Sequence, residues 1–202
     1  LESRGETPPA ESALRNRLAA MSWPEIVCWI GARLAEALDH AHAQGVLHRD
    51  VKPANVWLSA EGLPRLADFN VGYCSKLEGA SAAAFFGGSL VYMSPEQLEA
   101  FNPAHDRKAD SLDGRCDIYS LGLTLWELLT GRRPFGGETA QSSRALTLTE
   151  MTRRRNAGLP ADVAAQLPRD CPPALERILR KCLAPNPDDR FATAGELARA
   201  AT

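Results

Sequence analysis

Between His48 and Asn55 the chain sets an acid (Asp50), an amine (Lys52) and a carboxamide (Asn55) close together, with Pro53 stiffening the turn. So polar a stretch cannot be core, yet its flanks are regular and apolar. Upstream, Ile26, Ile30, Leu34 and Leu38 recur at fourfold spacing, the stripe of one buried helix face. Ser22 and Glu25 form a capping-box signature ahead of it, Pro24 suits the first turn, and Gly45 stands where a left-handed residue ends a helix. Downstream, residues 56–59 and 64–67 flank Ala60-Glu61-Gly62 and read as a β-hairpin. The polar loop is therefore slung between a long helix and a hairpin, and a second acid, Asp68, follows the last strand.

The rest of the chain is mostly helical. Residues 1–9, with Thr7-Pro8-Pro9, predict a poorly ordered lead-in, and a short helix is expected over about 11–20. Residues 71–86 lack periodicity and read as a long loop. Asp117 opens a helix with Ile118, Leu121, Leu123, Leu125, Trp126, Leu128 and Leu129 on nearly every face, which marks it as core. Further helices are expected over about 146–157, 161–167, 173–183 and 194–200. The class is α+β, mostly α-helical, with one small hairpin and a single domain over residues 10–202.

Composition narrows the partners. A net charge of −2 gives no footprint for nucleic acid, and the triplet Arg153-Arg154-Arg155 reads as a solvated helix face. Five cysteines, odd in number and without a CxxC pair, predict reduced thiols and a cytoplasmic protein rather than a zinc site or disulfide framework. The most apolar helix is too short to span a bilayer, so no membrane contact is expected from this segment. The chain begins with Leu1 rather than Met, which suggests that it was processed or is a piece of something longer.

Taken singly, Asp50 is a turn cap, Lys52 a surface charge, His48 a packed loop residue and Asp68 a turn starter. Taken jointly they are far more specific. A loop acid can accept the proton of an attacking hydroxyl. An amine two residues on can offset charge on a transferring phosphoryl group, and an amide and a second carboxylate are hard ligands for Mg²⁺.

This pattern resembles the C-terminal lobe of eukaryotic-like Ser/Thr protein kinases. Residues 48–55 resemble the family's catalytic loop, and Lys52 is the mark of its Ser/Thr branch. Asp68-Phe69-Asn70 sits where the family has Asp-Phe-Gly, and residues 88–96 resemble the segment that closes the activation loop, here 68–96. The resemblance implies ATP and Mg²⁺ as cofactors and a protein substrate. It makes Asp50 and Lys52 catalytic, gives Lys52, Asn55, Trp57 and Asp68 to the nucleotide, and gives Asn55 and Asp68 to the metal. It also implies that Asp117 anchors the catalytic loop and that Arg190 pairs with Glu96. His48, Arg49, Phe69 and Ser89 take structural or regulatory roles, Arg49 by pairing with a phosphate on Ser75, Ser81 or, as the weaker candidate, Ser89.

Two residues depart from the family pattern. Asn70 replaces its Gly and predicts a stiffer switch, and Trp57 stands where a Leu usually lies beneath the adenine ring. Nothing in residues 1–45 resembles the family's smaller β-rich lobe, with its Gly-rich loop and strand lysine. The expected function is a Ser/Thr kinase catalytic lobe that works when joined to that N-lobe and transfers little phosphate without it. The alternative is a degenerate lobe that docks partners without catalysis. A small-molecule phosphotransferase fits less well, because that branch does not usually keep Lys52-Pro53 or the Ser94-Pro95-Glu96 segment.

Overall fold

The computed structural model describes residues 12–69, 90–135 and 143–202. The expected lead-in over 1–9, and the expectations for Asn70, Cys74, Ser75, Ser81 and Ser89, lie outside the described residues. Eight helices and one hairpin are described: α1 (Ala13–Ala19), α2 (Trp23–Ala43), β1 (Val56–Leu58), β2 (Pro64–Leu66), α3 (Pro95–Phe101), α4 (Arg115–Thr130), α5 (Arg144–Asn156), α6 (Ala161–Ala164), α7 (Pro173–Cys182) and α8 (Ala194–Ala200). The α+β, mostly helical class read from the sequence holds.

Helix α2 begins as its sequence requires. The Ser22 backbone amide and hydroxyl both donate to Glu25 Oε2, at 2.7 Å each. It ends in a Schellman turn: Gly45 N–H bonds to His42 O, Val46 N–H bonds to Ala41 O, and Gly45 takes φ 73°. The buried stripe is Val27, Ile30, Leu34, Ala35 and Leu38. It packs on α4, α8 and the hairpin.

Helix α4 is buried on nearly every side, from Cys116 through Trp126 and again at Leu129. Close approach to α7 is possible because Gly122 has no side chain. A Cβ there would lie 2.7 Å from Cys182 Cβ and 3.2 Å from Leu183 Cδ2. Gly122→Ala is therefore expected to force the helices apart and lower stability by roughly 1–3 kcal/mol. A thermal melt checks this; an unchanged midpoint would show that the α4–α7 contact gives way freely.

The start of α4 corrects the sequence expectation. The helix begins at Arg115 rather than Asp117, with Gly114 as its N-cap and no side-chain cap. The Asp117 carboxylate is engaged elsewhere, as described below. The hairpin is antiparallel, with Val56 opposite Leu66 and Trp57 opposite Arg65. Burial raises the thiol pKa of all four described cysteines, that of Cys182 up to about 12. No described helix is long and apolar enough to cross a membrane.

Candidate active site

The loop at residues 48–55 hangs from α4 by a single carboxylate. Asp117 is fully buried; its Oδ2 accepts from His48 N at 2.8 Å and its Oδ1 from Arg49 N at 2.7 Å. Leaving either buried amide without a partner would cost about 1–3 kcal/mol. A third bond comes from α2, where His42 Nε2 lies 2.8 Å from Asp117 Oδ2. Sequence reasoning missed His42, although it continues the fourfold stripe of Ile26, Ile30, Leu34 and Leu38 by one more step.

The second support is His48, itself fully buried. Its Nε2 meets Ala67 O at 3.0 Å, and its Nδ1 accepts from Asp50 N at 3.3 Å. This pattern assigns the ring hydrogen to Nε2. The ring lies 4.5 Å from that of Phe69, tilted at 55°. One imidazole thus ties the loop to the far end of the hairpin.

Those two anchors hold unusual backbone. Arg49 (φ 62°) and Asp68 (φ 56°) are the described non-glycine residues in the left-handed region. Each such conformation costs about 1–3 kcal/mol and persists where its surroundings over-determine it, a pattern that gathers at functional sites. Asp117 grips the amide of Arg49, and the His48–Ala67 bond immediately precedes Asp68.

Between the anchors sits Asp50. Its Oδ2 accepts from Lys52 Nζ at 2.7 Å and from Asn55 Nδ2 at 3.2 Å; Asn55 Nδ2 also donates to the Asp50 carbonyl at 2.8 Å. Asp50 Oδ1 is buried and has no hydrogen-bond partner among the described residues. The carboxylate is therefore oriented through one oxygen and unsatisfied at the other. With its nitrogen committed to Asp50, buried Asn55 offers its amide oxygen as the remaining donor atom, and Asp68 is exposed.

Trp57 is half exposed, on the strand face opposite Val56, which packs against the core. Arg49 Nη2 reaches Ala109 O at 3.4 Å. On the other side of the loop, Gln97 Nε2 donates to Arg49 O at 3.1 Å while Gln97 completes a capping box with Ser94 at the start of α3. Gln97 is a second residue that sequence reasoning missed, because its partner lies 48 positions away. Glu96 and Arg190 meet as expected, Nη1 to Oε1 at 2.6 Å and Nη2 to Oε2 at 3.0 Å.

Comparison with known proteins gives the same direction. The family model described as the protein kinase domain matches residues 12–200. Serine/threonine-protein kinase PknD of Mycobacterium tuberculosis is 36% identical over 170 residues, covering 84% of this chain and 23% of that protein. Serine/threonine-protein kinase PknB of the same species is 35% identical over 171 residues, with 82% and 24% covered. PknB of Mycolicibacterium smegmatis is 33% identical over 171 residues, with the same shares. The chain spans about a quarter of the length of the curated relatives it matches.

Proposed function

This chain belongs to the protein kinase family, and on that premise we propose that it is the catalytic lobe of a Ser/Thr protein kinase. Joined to a smaller lobe that grips the nucleotide, it would move the γ-phosphate of ATP to protein Ser and Thr hydroxyls. The observation that carries this reading is Asp50, held through Oδ2 by Lys52 and Asn55 and unsatisfied at Oδ1.

In this reading a substrate hydroxyl donates to Asp50 Oδ1, which aligns its oxygen for in-line attack and takes the proton late. Lys52 reaches from Asp50 toward the transferring phosphoryl group and offsets its charge. Asn55, through its amide oxygen, and Asp68 are the residues that would hold Mg²⁺. They fit in their chemistry: both present the hard oxygens that Mg²⁺ prefers. When bound, ATP with its metal supplies the phosphoryl group and neutralises the charge on its phosphates. Trp57 lies on the hairpin beside Asn55 and would offer its ring to the base. The cytoplasm, which supplies ATP and Mg²⁺, is the compartment in which this activity would work.

The test is transfer of labelled γ-phosphate by the full-length protein to a generic protein substrate in Mg²⁺, followed by phospho-amino-acid analysis. Label on Ser and Thr is expected. Label on Tyr alone would contradict the role given to Lys52. Absence of label with ATP still bound would favour a docking lobe without catalysis.

A further inference from the structure

The arginine triplet that ends α5 divides, which corrects the expectation of a solvated face. Arg153 and Arg154 turn back on Glu150 at 2.7 and 2.8 Å, and their hydrogen bonds hold its carboxyl down to about 2. Arg155 points inward and is fully buried. Its Nη1 donates to Met151 O at 3.2 Å within its own helix, and its Nη2 donates to Leu90 O at 3.4 Å and Val91 O at 3.0 Å. The guanidinium lies 5.3 Å over the ring centre of Phe135. Burying a guanidinium is costly, and here it grips the backbone of one short turn, Leu90–Tyr92.

The same turn is held from two other directions. Tyr92 donates its hydroxyl to Glu127 at 2.6 Å. Burial and that carboxylate raise the phenol's pKa, so it stays a donor. Met93, Leu98, Leu148 and Met151 form an apolar cluster separate from the main core, with Leu90 and Val91 packed on it. At its other end α5 is fastened by buried Asn102, whose Nδ2 donates to Ala145 O and Thr149 Oγ1. Helix α5, α3 and the turn thus make one clamped unit, and Gln97 joins that unit to the catalytic loop at Arg49.

This unit meets the loop at Arg49, next to Asp50, through Gln97, whereas the hairpin meets it at His48 through the Ala67 carbonyl. Among the described residues, no hydrogen bond joins Asn55 or Asp68 to α5 or the turn. We propose that Arg155 is a positioning residue for the protein substrate. It fixes the Leu90–Tyr92 turn, and with it the surface beside Asp50 on which a polypeptide lies, without touching the reacting atoms. The proposal rests on the kinase reading above.

The test compares the full-length wild type with Arg155→Met, which keeps an apolar stem, and Arg155→Lys. KM for a protein substrate is expected to rise on the order of tenfold in Arg155→Met, since the charged donor's bonds to the Leu90 and Val91 carbonyls are lost. KM for ATP and the rate of ATP hydrolysis without protein substrate should not move. Arg155→Lys should recover part of the loss, because one ammonium reaches fewer carbonyls than the planar fork. Amide exchange over residues 90–93 should quicken by a similar factor while α4 stays protected. A purely structural role would lower ATP hydrolysis and protein phosphorylation in the same proportion, and that result, or unchanged exchange at 90–93, would overturn the proposal. A wild type that phosphorylates no protein would sink the kinase reading instead, and exchange alone would then decide whether Arg155 holds the turn.

Discussion

Asp50→Asn is expected to lower kcat for protein phosphorylation by about 10²–10⁴-fold, the contribution of a well-placed general base. The substitution keeps shape and reverses polarity at one atom. The new amide oxygen can take the place of Oδ2, accepting from Lys52 Nζ and Asn55 Nδ2 as the carboxylate does. Its NH₂ then falls where Oδ1 stood, the buried acceptor without a described partner. An incoming hydroxyl meets a donor where it needs an acceptor. The loop should survive, because it hangs from Asp117 and His48 rather than from Asp50. The measurement is kcat at saturating ATP and protein substrate, with a thermal melt on the same samples. A loss below tenfold with the melt unchanged would remove Asp50 from the role of base.

Much of this site is legible in the sequence because its chemistry is local. Asp50, Lys52 and Asn55 bond to one another within five positions, so their spacing alone brings them together. The two helices that frame the loop announce themselves through capping residues and apolar periodicity. What spacing cannot show is a polar group whose partner is distant. Asp117 looks like a helix-opening acid, but its oxygens serve amides 68 and 69 positions away, and the helix starts two residues earlier without it. Arg155 looks like part of a solvated run. Its position four and seven residues after buried Met151 and Leu148, counted on as 148, 151 and 155, places it on the apolar face of α5. A charged residue on such a stripe is a signal of its own: it has a buried backbone partner or the helix would not pack.

Arg190→Ala is expected to be the most destabilising single change here, costing about 3–5 kcal/mol, and Glu96→Ala is expected to cost less. Both side chains are buried, and their two bonds close a link across 94 residues of sequence. The partners are not equivalent. Arg190 also donates to Ala184 O at 2.7 Å, Pro185 O at 2.8 Å and Arg115 O at 3.0 Å, and lies 4.7 Å over the ring of Tyr119. Without Glu96 the guanidinium keeps those carbonyls and that ring, though its charge is uncompensated. Without Arg190 the Glu96 carboxylate is stranded in the interior and three carbonyls lose their donor at once. Chains of this size lose roughly 2–4 °C in melting temperature per kcal/mol, so the loss for Arg190→Ala is about 6–20 °C. The double variant should melt no lower than Arg190→Ala alone, because removing Glu96 as well takes away the stranded charge. Melts of the two single variants and the double decide the matter. If Glu96→Ala proves the worse of the two, or the losses simply add, the pair is not the coupled buried link that its geometry describes.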